Sequence, residues 1–137
     1  MKELAYYHGL PDYMPGGELL AEFLRMVECY EIGRCDKRIF LEALLALADR
    51  QWHTYVVLRN DVRVRIESIL IGLWDGNNLA AAENILVLCG RLGLQDLYVF
   101  CRTQKEKGVS PEIEEEIVSA ILEFGDSVAD PYVGLRQ

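Results

Sequence analysis

Apolar residues recur with helical spacing along most of the chain. In the first helical segment they stand at positions i, i+3, i+7 and i+10, which are Leu20, Phe23, Val27 and Tyr30. Residues 37–51 carry an apolar arc so wide that this helix is expected to be central. The pattern predicts an all-α protein of about six helices, at residues 18–32, 37–51, 62–74, 79–92, 94–107 and 111–124.

Capping residues mark where these helices begin and end. Asp36, Asn78 and Ser110 stand where a side-chain oxygen can accept a hydrogen bond from a first-turn N–H group, so each is a predicted N-cap. Pro111 in the first turn supports the last of these starts. Glycines are expected to end four helices, at Gly33, Gly93, Gly108 and Gly125.

The start of the third segment is ambiguous. Tyr55–Leu58 favours a strand by propensity, whereas the flanking pattern is helical, so strand and helix both stay open for residues 54–59. We predict helix through 54–74, with a break at Asn60 and Asp61. Asp61 is then the expected N-cap of the helix that follows.

The two ends differ in composition from the helical segments. Residues 1–17 contain three tyrosines, two prolines and a Gly16-Gly17 pair, which suits an arm or loop better than a helix. This arm either covers the first helix or docks onto a partner. The tail, residues 126–137, is expected to be irregular, with Tyr132, Val133 and Leu135 able to lie back on the last helix. A chain of 137 residues suits a single domain spanning 1–137.

A nine-residue stretch occurs twice in the chain. Glu42–Arg50 reads EALLALADR, and Glu83–Arg91, which begins 41 residues later, reads ENILVLCGR. A weaker copy begins at Ala120, 36 residues after Asn84. A period of about forty residues is typical of HEAT and armadillo-like helix pairs, which bury their apolar faces by stacking on one another.

The chain therefore resembles HEAT-like helical-repeat proteins. Asp61-Val62-Arg63 is similar to the Asp-x-Val-Arg step of HEAT repeats, although no proline follows Asp61. The resemblance implies a short right-handed α-solenoid of antiparallel helix pairs, in which the Asp61 and Arg63 pair ties one repeat to the next. It also implies exposed faces that bind other macromolecules.

The charge balance narrows the class of partner. Fourteen basic and twenty-two acidic residues give a net charge of -8, which disfavours nucleic acid and favours a basic protein through electrostatic steering. Such acidity is also common simply because it maintains solubility. The four cysteines form no CxxC pair, so they read as free thiols in a reducing compartment, with no metal site. No long apolar run or signal sequence is present, so we expect a cytoplasmic protein without membrane contact.

Motifs for catalysis are missing from the sequence. His8 and His53 are the only histidines, and there is no HExxH, GxSxG or glycine-rich phosphate loop. We therefore predict that the protein is not an enzyme and uses no cofactor. An enzyme that uses scattered carboxylates is the lowest-ranked alternative. Arg59, Arg63 and Arg65 are too few to make a DNA-binding face on an acidic protein.

Two acidic ridges are the candidate binding surfaces. Helical spacing places Glu112, Glu116 and Glu123, with Glu115 beside them, on the outward stripe of the last helix, and Glu18 and Glu22 on that of the first. Such ridges are often only solvated faces. As a binding site they fit lysines and arginines of a basic partner, with Trp52, Trp74 or an arm tyrosine as an aromatic anchor.

By size, acidity and repeat pattern, the chain also resembles the immunity proteins of bacterial contact-dependent and secreted toxins. That resemblance implies a stoichiometric inhibitor that covers the active site of a cognate toxin domain, often a basic nuclease, with carboxylates where the toxin would hold phosphate. The alternative is a helical-repeat adaptor or scaffold subunit that binds a helix or peptide of a host protein.

Overall fold

The computed structural model describes residues 2–132, which are folded into helices and turns with no strand. The all-α prediction is confirmed. Seven α-helices lie within this range: α1 (Leu4–His8), α2 (Gly16–Glu31), α3 (Lys37–Trp52), α4 (Asn60–Leu73), α5 (Leu79–Leu92), α6 (Gln95–Gln104) and α7 (Pro111–Phe124). A 3-10 turn, Lys105–Lys107, follows α6. None of the described helices has the length and apolar character needed to cross a membrane.

The helices pack in two rows. Helices α3, α5 and α7 contact one another in that order, and α2, α4 and α6 form the second row in the same way. Contacts of α2 with α3, α5 with α6 and α6 with α7 join the rows. Helix α3 packs against α1, α2 and α5, as its wide apolar arc predicted. The right-handed superhelical form expected of a solenoid stays a prediction.

The caps predicted at Asp36, Asn78 and Ser110 are present. Asp36 accepts hydrogen bonds from the backbone N–H groups of Arg38 and Ile39 at 2.9 and 3.2 Å, and Asn78 and Ser110 accept bonds from Ala81 and Ile113. The four predicted terminal glycines all have positive φ. These local signals locate the helix ends because each satisfies backbone groups that the helix itself leaves unpaired.

Residues 54–59 are neither strand nor helix, so the prediction of helix there is wrong. The segment is a turn followed by extended chain, and Tyr55 has a φ of 59°. Side chains supply the hydrogen bonds that a helical backbone would have made here. Gln51 Nε2 donates to the carbonyl of Val56 at 2.7 Å, and the N–H of Val56 donates to Thr54 Oγ1 at 3.1 Å.

The residues of the HEAT-like step have different roles from those predicted. Arg59 is the N-cap residue of α4, and Asp61 lies in the first turn, where its carboxylate pairs with Arg59. Asp61 is therefore not the cap, and it does not pair with Arg63. Arg63 does reach the next helix pair, since its Nη1 donates to the carbonyl of Gly93 at 3.2 Å.

The N-terminal arm is partly helical, contrary to its composition. Helix α1 packs on α3 and buries Tyr7, and Met14 is buried beyond it. At the other end, residues 126–132 form turns, as expected of an irregular tail. Tyr132 packs on Trp52 at the end of α3 rather than on the last helix, and Val133 and Leu135 lie outside the described residues.

A candidate protein-binding groove

A groove of about 630 Å³ lies between α5 and α7. The segment 127–131 and the end of α3 close it at one end. Its lining residues are Trp52 of α3, Glu83, Leu86, Val87, Gly90 and Arg91 of α5, Glu116, Ser119, Ala120, Glu123 and Phe124 of α7, and Ser127, Val128, Asp130 and Pro131 of the closing segment. We call it the α5/α7 groove. Its size is in the range of pockets that bind ligands or peptide side chains.

Two glycines of α5 shape this groove. A Cβ atom at Gly90 would lie 2.5 Å from Phe124 Cζ, so the missing side chain lets α7 approach α5. Gly93 ends α5 with a φ of 68°, and a Cβ there would lie 2.9 Å from the carbonyl oxygen of Ala129. Glycine at these two positions therefore allows both the side wall and the closed end of the groove.

The groove is acidic. Its charged residues are four carboxylates, on Glu83, Glu116, Glu123 and Asp130, and the single guanidinium of Arg91, which gives a formal charge of -3. Glu83, Glu116 and Glu123 take part in none of the ion pairs found among residues 2–132, which join Arg25 to Glu22, Arg59 to Asp61 and Arg65 to Glu31. The three glutamates are thus left with charge that a cationic ligand could neutralise.

Aromatic rings build the closed end of the groove. The ring of Trp52 lies 5.7 Å from that of Tyr132, centroid to centroid, and the guanidinium of Arg91 lies over Trp52 at 5.2 Å. The hydroxyl of Tyr132 donates to the carbonyl of Gln51 at 3.0 Å. This bond and the ring contact hold Trp52 in place, so it can serve as a rigid contact surface.

A second, smaller groove of about 350 Å³ lies between α1 and α3. It is lined by His8, Glu42, Leu45, Ala46, Asp49 and Arg50. Its five α3 residues stand 41 positions before the five α5 residues of the first groove, pair by pair: Glu42 with Glu83, Leu45 with Leu86, Ala46 with Val87, Asp49 with Gly90, and Arg50 with Arg91. The repeated stretch therefore contributes the same helical stripe to two grooves.

Three of the eight predicted partner-binding residues meet in the α5/α7 groove, namely Trp52, Glu116 and Glu123. Glu112 and Glu115 are exposed on α7 but do not line it, and Glu18 is exposed at the start of α2. Trp74 is half-buried at the end of α4, where its ring meets Phe100 edge-on at 6.3 Å. The predicted ridge residues of α2, Glu18 and Glu22, do not line this groove.

The prediction that Glu22 lies on an outward ridge is wrong. Only 3% of the residue is exposed, because it shares a helical stripe with the buried Leu19, Phe23 and Met26. Its carboxylate pairs with Arg25, and within residues 2–132 its Oε2 has no hydrogen-bond partner. Glu22 is therefore unavailable to a partner on the surface.

Sequence reasoning missed Glu83, Arg91 and Asp130 as groove residues. Glu83 and Arg91 are the first and last residues of the second repeated stretch, so the repeat itself contained the signal. Stacking buries the apolar face of this stretch, whereas the stripe that contains Glu83, Val87 and Arg91 is exposed. Asp130 belongs to the tail, and no pattern in the sequence relates it to α5.

The cysteines are placed as apolar residues. Cys29, Cys89 and Cys101 are buried, and Cys35 is partly buried. Burial raises the pKa of the Cys35 thiol to about 11, and a hydrogen bond with Cys101 together with burial raises the pKa of Cys89. Both thiols are protonated at neutral pH, which makes them poor nucleophiles and metal ligands. Residues 2–132 contain no cluster of three or more His, Cys, Asp or Glu side chains suited to a metal ion.

In comparisons with known proteins, no protein-family model, curated protein or solved structure matches the chain.

Proposed function

We propose that this protein binds a basic segment of a partner protein in the α5/α7 groove. The observation that carries the proposal is the arrangement of Glu83, Glu116 and Glu123 around a groove whose closed end is the fixed ring of Trp52. Carboxylates without ion-pair partners attract lysine and arginine, and the half-buried ring of Trp52 supplies contact area at little entropic cost. The net charge of -8 steers such a partner toward the protein.

The biological role that fits this binding best is neutralisation of a toxin domain. A basic toxin, such as a nuclease, holds phosphate with lysines and arginines, and an acidic groove competes for the same side chains. The protein would act stoichiometrically, as the resemblance to immunity proteins implies. A toxin gene immediately upstream is expected for this role and would separate it from the alternative.

The alternative is an adaptor that binds a segment of a host protein. The groove also has apolar lining residues, including Leu86, Val87 and Phe124. These residues favour the adaptor role because they would contact the apolar side of an amphipathic segment. An adaptor needs no toxin gene beside its own, and deleting it would not sensitise the host to a toxin.

The experiment compares two pairs of Glu→Gln substitutions on α7, each of which removes two negative charges. Glu116→Gln with Glu123→Gln removes two groove carboxylates, while Glu112→Gln with Glu115→Gln removes two exposed carboxylates of α7 that do not line the groove. Binding of a fluorescein-labelled hexalysine peptide is measured by anisotropy at low and high salt. We expect the first pair to raise Kd roughly fivefold at low salt and the second to change it much less.

The same two variants are tested against the toxin if one is encoded upstream. In cells that co-express the toxin, the variant with the groove pair should no longer protect against it, whereas the variant with the control pair should still protect. Equal effects of the two pairs on peptide binding and on protection would show that general acidity, not the groove, attracts the ligand.

A further inference from the structure

Arg50 and Arg91 occupy the same position in the two copies of the repeated stretch, 41 residues apart. Each lines the groove beside its own helix, together with the matching residues of its stripe. Their surroundings differ. Arg50 is only 8% exposed, whereas Arg91 is exposed.

Arg50 binds the main chain of the N-terminal segment. Its Nε donates to the carbonyl of Pro11 at 2.9 Å, and its Nη2 donates to the carbonyls of Leu10 at 2.8 Å and His8 at 3.5 Å. A planar guanidinium with five donors can hold several neighbouring carbonyls at once, whatever side chains they carry. Residues 8–11, which run from the last residue of α1 into a turn, thus show how non-helical chain at the end of a helix lies against this position of the repeat.

Arg91 has the same group without those partners. Among residues 2–132 its guanidinium donates no hydrogen bond; it rests over the ring of Trp52, beside the open α5/α7 groove. The ring contact orients the guanidinium but uses none of its N–H donors. Its hydrogen-bonding capacity is therefore available to a ligand in the groove.

We propose that Arg91 binds main-chain carbonyls of a partner segment in the α5/α7 groove, as Arg50 binds residues 8–11. This inference rests on the proposed function and specifies its ligand: an extended or irregular basic segment. An α-helix is excluded along its length because its carbonyls are already bonded within the helix. The carboxylates of Glu83, Glu116 and Glu123 select basic side chains, while Arg91 holds the backbone between them.

The test depends on the sign of the effect at Arg91. Removing a positive charge from an acidic groove should tighten the binding of a basic peptide if Arg91 acts only through its charge. If Arg91 binds the backbone, Arg91→Met should instead raise the Kd of fluorescein-labelled hexalysine by roughly five- to tenfold, since the lost hydrogen bonds involve a charged donor. Arg91→Lys keeps the charge but loses the planar fork, and we expect it to weaken binding as well.

Arg102→Met is the matched control. Arg102 is also exposed and also lies over an aromatic ring, that of Tyr98 at 5.4 Å, but it does not line the groove. This variant also loses one positive charge, so it should leave the Kd for hexalysine unchanged or lower it slightly. Circular dichroism of each variant confirms that the fold is retained.

Two results would overturn parts of this account separately. If Arg91→Met binds hexalysine as tightly as wild type or tighter, while the Glu116 and Glu123 pair still weakens binding, backbone binding by Arg91 is refuted and the basic-segment function stands. If wild-type protein fails to bind hexalysine even at low salt, both the function and the inference fail.

Discussion

Gly90→Ala tests the contact that forms the wall of the groove. The substitution places a methyl group where α5 meets α7, 2.5 Å from Cζ and 2.7 Å from Cε1 of Phe124. Those distances are below any normal carbon–carbon contact, so the ring must move. Phe124 packs edge-on against Tyr98 with the ring centroids 6.0 Å apart, and a shift of the ring disturbs this contact too.

Opposing effects set the size of the change. Replacing glycine by alanine inside a helix stabilises the fold by about 1 kcal/mol. Overpacking costs about 1–3 kcal/mol, and loss of the aromatic pair about 0.5–1.5 kcal/mol. We therefore expect Gly90→Ala to lower the free energy of unfolding by roughly 0.5–3.5 kcal/mol.

Urea unfolding followed by circular dichroism measures this change, with two comparisons. Gly72→Ala, near the end of α4 with no atom within 4 Å of its new Cβ, should be stabilising because only helix propensity acts there. In a Phe124→Ala background Gly90→Ala should also become stabilising, since the clashing ring is gone. A Gly90→Ala variant that is destabilised equally with and without Phe124 would refute the steric explanation.

Further predictions concern single contacts elsewhere in the fold. Burial raises the pKa of Glu67, whose Oε2 accepts a hydrogen bond from the N–H of Leu97 at 2.8 Å. The folded protein therefore favours the protonated form of Glu67. The stability that this preference contributes is fully present below the ordinary pKa of 4.5 and is lost as pH rises through the raised pKa of Glu67 in the folded protein. The stability of Glu67→Gln relative to wild type should therefore increase from pH 4 to pH 7 in urea unfolding; a constant difference would contradict this. Arg50→Met should lower the free energy of unfolding by about 3 kcal/mol, because it removes the hydrogen bonds from a charged donor to the carbonyls of His8, Leu10 and Pro11. Hydrogen exchange should then show residues 2–14 losing protection first; uniform loss would argue against a local clamp. Gly93→Ala should destabilise by about 1–3 kcal/mol through its positive φ and its contact with Ala129, with Gly33→Ala, which has a positive φ but no such contact, as the milder control.

The candidate site was only partly predictable. The sequence predicts Glu116 and Glu123 on an outward acidic stripe and Trp52 as an aromatic anchor, and all three line the groove. Their association with Glu83 and Asp130 depends on the packing of α5 against α7 and on the path of the tail. Neither relation leaves a pattern in the order of the residues, because each joins segments distant in sequence.

Glu22 shows why helical periodicity alone can misplace a charged residue. The apolar face of α2 was predicted at Leu20, Phe23, Val27 and Tyr30, whereas the packed face is centred between Leu19, Phe23 and Met26. A rotation of the helix by a fraction of a turn separates these two faces. Contacts with α3 and α4 decide between them, and the pairing with Arg25 makes the burial of the carboxylate tolerable.

The sequence by itself determined six of the seven α-helices described within residues 2–132, most of their ends and the equivalence of α3 and α5. These depend on neighbours within four residues, through apolar spacing, N-caps and glycines of positive φ, or on direct repetition of a stretch. Tertiary structure decided what the repeated positions do. Arg50 and Arg91 have the same place in the repeat, yet within residues 2–132 only the guanidinium of Arg50 is hydrogen-bonded by a neighbouring segment, residues 8–11, whereas that of Arg91 faces the α5/α7 groove. The difference arises because the N-terminal segment packs on α3, an arrangement of distant parts of the chain that the repeat does not encode.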